Sequence, residues 1–341
     1  MRVTATRFRL RGACGVLAVL TAVLGAGKPG AAEEGLLLRM LGPPARGLQI
    51  QAAGSAQWRP ERDTRGDAAG ESVEVRTQKG DLLAAIPMGH RGEGSAALRL
   101  RHHGLAGEAR LPASGTPLPD HLWDLGLGVG YRRFLTPGRW AGLAATVGSP
   151  SDRPFRSGRE VAVSATALYR LPHGERAAWL LFLRYDNTRE FWNHVPLPGL
   201  AYSAQPTPRS LLLLGAPFFM ARWGSEGGWG ASLFYFWPRT LGAEVTRRLP
   251  GHAQAYAGFH LDSESHFLAG RDRRGDRLWY YEKRAEVGVR RDPSPRWGWE
   301  VSGGYAFDRY YFLGEDFKER TRDRAAVAGG PFLRAGVKAR F

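Results

Sequence analysis

The sequence predicts an all-β chain, an antiparallel up-and-down transmembrane β-barrel of about fourteen strands, within a range of roughly twelve to sixteen. Three observations predict it. Runs of about ten residues alternate apolar and polar positions, the period of a strand with two different faces. Aromatic residues cap the apolar faces: Trp123 and Tyr131 are eight residues apart, as are Trp229 and Trp237. Eight residues rise about 27 Å along a strand, or about 20 Å along the membrane normal at a tilt near 40°, close to the height of a lipid-facing band. Third, tight connections alternate with long charged ones, as in barrels with short turns on one side and long loops on the other.

The first element is a leader. Arg2, Arg7, Arg9 and Arg11 precede an apolar stretch over 13–26, and small residues follow at Gly30 and Ala32. This predicts a secretory signal peptide over 1–32, because the apolar stretch is short for a bilayer-spanning helix. Cys14, the single cysteine, leaves with it, so a mature chain holds no disulfide. Five basic residues and no acid also leave, and the formal charge falls from +16 to +11. A basic exported chain points to phosphate-bearing lipid head groups, lipopolysaccharide among them, and not to nucleic acid. No later segment offers the roughly 18 consecutive apolar residues of a helical span, so a membrane crossing needs strands.

Residues 33–45 have no clear period and are expected to form a periplasmic tail, a plug being the alternative. Residues 46–341 are expected to form the barrel. The first runs, near 47–57, 71–87 and 95–103, alternate weakly. In 122–134, Trp123, Leu125, Leu127, Val129 and Tyr131 share a face opposite Asp124, Gly126, Gly128, Gly130 and Arg132. These alternating glycines precede no helix and are expected to let the wall bend. Similar alternation marks 141–147, 159–171, 177–187, 229–237, 253–262 and 297–308. Between them, 189–222 holds one strand or several. The connections at 136–139, 172–175, 250–251 and 292–295 are tight; those at 104–121, 148–158, 263–277 and 309–330 are long and charged.

The last strand, 331–341, carries the pattern furthest. Leu333, Ala335, Val337, Ala339 and Phe341 share one face; Arg334, Gly336, Lys338 and Arg340 share the other. A closing strand of this kind, ending on Phe341, is the expected contact for barrel-assembly machinery. Trp123, Tyr131, Trp229, Trp237, Trp297 and Phe341 are the expected lipid-face girdle.

PLPGLAYS (196–203), LLLLGAPF (211–218), RLWYYEKRAEVGVR (277–290) and GGYAFDRYY (303–311) together resemble an uncharacterised family of bacterial outer-membrane β-barrels, a domain of unknown function. The resemblance covers roughly 90–341. Tyr281, Glu282, Gly304, Tyr305, Phe307, Asp308 and Arg309 mark it best. It implies a barrel in the outer membrane and supplies no reaction.

Inward charges balance at nine acids and nine bases on the clearer strands. Buried charges need partners, so an ion-paired interior is expected. Glu282, Arg284, Glu286, Arg290, Glu300, Asp308, Lys338 and Arg340 form the expected network, with Arg290 near Glu300 and Tyr280 near Asp308. The only enzyme-like constellation is HLDSESHF, with His260, Ser263, Ser265 and His266 as candidates for a serine–histidine pair on the wall. No nucleophile elbow and no Cys/His metal spacing is present, so no cofactor and no metal are expected. The charged loops 268–277 and 314–324 suit lipopolysaccharide phosphates. Three functions fit: a channel for small polar solutes, a closed barrel that braces the envelope or displays loops, and a barrel-embedded lipid hydrolase.

Overall fold

The computed structural model describes residues 32–341 apart from 43, 46, 60–61, 66–71, 90, 107–108, 189–193, 217 and 237–239. The expected leader (but for Ala32) and Trp237 lie outside the described residues.

Among the described residues, sixteen antiparallel strands close a barrel. They are β1 (Gln49–Trp58), β3 (Ser72–Met88), β4 (Gly92–Ala106), β5 (His121–Thr136), β6 (Arg139–Ser151), β7 (Ala162–Pro172), β8 (Ala177–Asp186) and β9 (Leu197–Ala204). The circuit continues through β10 (Leu211–Gly215), β11 (Phe218–Gly224), β12 (Trp229–Phe236), β13 (Thr240–Leu249), β14 (Ala253–His266), β15 (Arg277–Arg291), β16 (Trp297–Gly314) and β18 (Gly330–Arg340). Two short strands, β2 (Arg62–Arg65) and β17 (Arg324–Val327), pair with each other and with β3 and β16. Closure runs to the last residue. Ile50 N donates to Phe341 O at 3.0 Å, and Phe341 N donates to Ile50 O at 2.8 Å.

The count sits at the top of the expected range, and 189–222 explains the difference. It holds three strands, two of them only five and seven residues long. Leu211–Leu214 is apolar on both faces, so no period of two shows. The wall is therefore uneven: β10 has five residues where β16 has eighteen.

The turns expected to be tight open at the end where β18 stops, and glycines at positive φ help make five turns there: Gly89, Gly138, Gly174, Gly228 and Gly251. The connections expected to be long are shorter than expected, because the strands continue into them. β4 runs to Ala106, β14 to His266 and β16 to Gly314. Apolar alternation stops where the lipid band would end; strand pairing does not.

The outward face is a band of exposed aliphatic residues, such as Leu127, Val129, Leu143 and Val287, with Val337 66% exposed. Tyr131, Trp229, Trp297 and Phe341 are exposed at the turn end, where Trp179 and Trp223 join them. Trp123 lies at the loop end with its ring stacked on His102, centroids 4.1 Å apart.

Candidate functional site

The lumen is divided in two. The chain leaving β14 crosses to β6, eight positions away in the sixteen-strand circuit. Phe267 N donates to Pro150 O at 2.7 Å, Asp152 N to Phe267 O at 3.3 Å, and Ala269 N to the Asp152 carboxylate at 2.7 Å. Arg271 holds the crossing in place. It meets Glu160 at 3.3 Å and donates to Arg159 O at 2.7 Å. Burial pushes the Glu160 carboxyl up, but bonds from Ser157 and the charge of Arg271 outweigh it and hold it below its ordinary range. On one side of the crossing, Val75, Leu105, Leu111, Leu118, Leu122, Leu268, Leu278 and Tyr311 pack into a core. That core seals the loop end over β3–β5 and β15–β17.

The segment expected as a tail holds helix α1 (Ala32–Leu41), and the helix lies inside the barrel. Leu36 and Met40 pack with Ala97, Trp140, Ala144 and Leu180. The glycine stripe of β5 makes room for it. A Cβ on Gly128 would stand 2.7 Å from Leu36 Cδ1, and one on Gly130 would stand 2.8 Å from Met40 Cε. The stripe thus does something other than the bending expected of it: it is the groove for a helix. The C-terminus of α1 is held from β4 and β5. Arg132, 1% exposed, donates to Gly42 O at 2.6 Å and also to Met40 O, satisfying carbonyls that end a helix. Glu93 accepts from Arg39 at 2.9 Å, from Arg132 at 3.0 Å and from Ala45 N at 2.7 Å.

Charges brace the opposite wall, around Glu282 and Glu286. Glu282 accepts from Arg59 at 2.6 Å and from Tyr280, and Arg309 lies 3.4 Å away. Glu286 meets Arg334 at 2.9 Å and His260 at 3.0 Å. Arg334 also meets Glu300 at 2.7 Å, and Arg284 meets Asp262 at 2.7 Å. The expected network members scatter around this centre. Arg290 lies opposite Glu300 in register, but its guanidinium turns to Glu244. Lys338 pairs with Asp292 at 2.8 Å near the turn end, and Arg340 lies there opposite Gln51.

Asp308 is outside the lumen. β16 carries one extra residue opposite Glu282, where the register shifts, and Asp308 takes φ 48°. Below this bulge Glu300, Ser302 and Gly304 point inward; above it Arg309 and Tyr311 do. Tyr280 therefore faces Tyr311, and Asp308 pairs outside with Lys283 at 2.8 Å and Arg324 at 3.4 Å. Arg59, Arg309 and the Glu93 latch are the residues sequence reasoning missed. A bulge leaves no mark in an alternating pattern except an inverted phase after it.

The enzyme-like constellation comes apart. β14 extends through it, so His260 and His266 face inward while Ser263 and Ser265 face outward, opposite Tyr281 and Trp279 in register. A period of two puts the serines and histidines on opposite sides of the wall.

Replacing Glu300 with lysine is expected to lower the temperature at which the folded band unfolds on a detergent gel by several degrees. The substitution takes an acceptor from Arg334 and from Tyr256, whose hydroxyl donates to Glu300 at 2.9 Å, and puts a like charge beside Arg334. An unchanged temperature would mean that water already screens this corner.

A cavity of about 2330 Å³ opens through the unsealed half of the lumen; it also runs beneath the core to Asp81, Ala97 and Arg101 and reaches the outer wall at Asp308 and Arg324. One side is apolar: Leu168, Leu180, Phe182, Leu213, Phe218, Met220 and Phe234 line it, with Leu37 and Leu41 of α1. Gly199 lets the Phe182 ring lie flat on β9, since a Cβ there would stand 2.1 Å from it. Arg222, Glu244, Arg290 and Arg334 line the other side. The inner faces of β7, β8, β11 and β13 carry Arg170, Arg184, Arg222 and Arg248 against Asp186 and Glu244, so this half has a cationic excess.

Among solved structures, the chain is similar to an outer membrane channel from Pseudomonas putida F1, at 10% identity and TM-score 0.38 over 88% of this chain and 97% of that one. It is similar to the TodX monoaromatic hydrocarbon channel in a deletion-mutant form, at 10% identity and TM-score 0.44 over 89% and 92%. It is also similar to an anion-selective porin from Comamonas acidovorans, at 11% identity and TM-score 0.31 over 86% and 98%. At such low identity these likenesses say nothing of this chain's solute. No family model and no curated protein matches the chain, so the family resemblance rests on its quoted motifs alone.

Proposed function

We propose that this chain is an outer-membrane β-barrel, exported by its leader, that conducts small solutes through the unsealed half of its lumen. The cavity carries the proposal. It reaches from Arg248 and Gln254 near the turn end to Arg184, Asp186 and Arg277 near the loop end. The exposed aliphatic band supports lipid outside, since a water-exposed patch of that size is unusual on a soluble monomer.

The solutes are polar at one end only. An apolar wall beside a cationic excess suits small organic anions that carry an apolar part, where wholly polar solutes would leave the apolar wall unused. Reconstituted in a planar bilayer under a salt gradient, the chain is expected to carry a steady current with a reversal potential on the anion side. Liposomes containing it are expected to swell faster in an aromatic carboxylate than in a neutral sugar of similar size. A silent bilayer favours the closed, bracing barrel, a reading that the packed core over β3–β5 supports. No observation favours the lipid hydrolase.

Lipid is the proposed partner of the outer face. Lipopolysaccharide phosphates are the proposed partner of the loop end, where Arg324 lies 3.8 Å over the Tyr310 ring on the outside of the wall. The apolar edge of β18 is the proposed contact for assembly machinery.

A further inference from the structure

Beneath the packed core, three side chains from facing walls meet: His103 of β4 with Glu264 and His266 of β14. The atoms they can offer a metal all lie within 4.8 Å of one another. Alternate positions on one strand point the same way, so Glu264 and His266 enter the lumen together. His103 Nε2 lies 2.6 Å from Glu264 Oε2, and Thr77 Oγ1 lies 3.3 Å from His103 Nδ1. His266 is 2% exposed, and its Nδ1 has no hydrogen-bond partner among the described residues. A buried imidazole that has an unpartnered nitrogen and offers an atom within 4.8 Å of two other ligand atoms is out of place in a purely structural network.

We propose that His103, Glu264 and His266 form a site for a borderline transition-metal dication of the zinc class. Two imidazoles and one carboxylate are a donor set such ions take, with a fourth position left for water. Glu264 and Arg101 line the cavity, which gives the ion a way in. Thr77, accepting from His103 Nδ1–H, turns the Nε2 lone pair toward the ion, the usual outer-shell role. Lys79 holds Glu264 Oε1 at 3.0 Å and leaves Oε2 for the ion. Lys79 and Arg101, 3.8 Å from Glu264, oppose a dication, so the affinity is modest and tunable. The bound ion ties β4 to β14 across the lumen.

The test uses untagged mature chain folded in detergent, stripped with chelator and titrated with zinc chloride by calorimetry. One equivalent is expected to bind, and His266→Ala is expected to weaken it at least tenfold with the folded gel band kept. Lys79→Gln is expected to tighten binding several-fold. The outward pair His102 and His121, nitrogens 3.1 Å apart, is the competing site. Binding that is lost in His121→Ala but kept in His266→Ala overturns the proposal. So does the absence of stoichiometric binding, or a Lys79→Gln chain that binds no tighter.

Discussion

Replacing Gly128 with leucine is expected to expel helix α1 and raise single-channel conductance several-fold. The wall has no room for both. A Cβ at Gly128 would already stand 2.7 Å from Leu36 Cδ1 and 3.0 Å from Thr146 Cγ2. The remaining leucine atoms would occupy the groove itself. With side chains a helix is about 10–12 Å across, so its departure frees a large share of the lumen. The β5 backbone needs no change, because Gly128 is in ordinary strand pairing with Ala97 and Thr146. Deleting 32–45 should give the same conductance as the substitution. If conductance stays at the wild-type value in both, the current does not pass the helix, and the cavity beside α1 is not the route.

Replacing Glu282 with alanine is expected to remove about 3–5 kcal/mol of stability, the usual cost of stripping one partner from a buried ionic cluster. Glu282 and Arg309 are each 1% exposed and Arg59 is 4% exposed at the side chain, so the two guanidiniums would be left without their shared acid. Tyr280 would also lose its acceptor. Urea unfolding from lipid vesicles, followed by the slow-mobility shift on a gel, reads this directly. A loss below about 1 kcal/mol, the usual size of an exposed pair, would mean that lumen water reaches Glu282 and screens it.

The two variants bear on parts of the chain that differ in how visible they are from the sequence. The outer face was legible because it is monotonous. Val337 and its neighbours repeat every second residue as exposed apolar side chains with no particular partner to match. The inner face answers to particular partners, so its residues follow no rule of composition. Leu213, Phe218 and Met220 are apolar inside, and they hide β10 and β11 because both faces then look alike. The glycines of β5 were visible, but their purpose depended on Leu36 and Met40, some ninety residues earlier in the chain. Asp308 was placed inward by an alternation that a single extra residue reverses. Ser263 and His266 looked adjacent only because the strand was expected to end before them.

The outward assignment of the apolar face of each strand can be tested in β18 with four residues. Residues 33–341 contain no cysteine. Single cysteines at Ala335, Gly336, Val337 and Lys338 can each carry a fluorophore, with the barrel refolded into vesicles holding nitroxide-labelled acyl chains. Strong quenching is expected at Ala335 and Val337 and weak quenching at Gly336 and Lys338. Equal quenching at all four positions, or stronger quenching at Gly336 and Lys338, would contradict it.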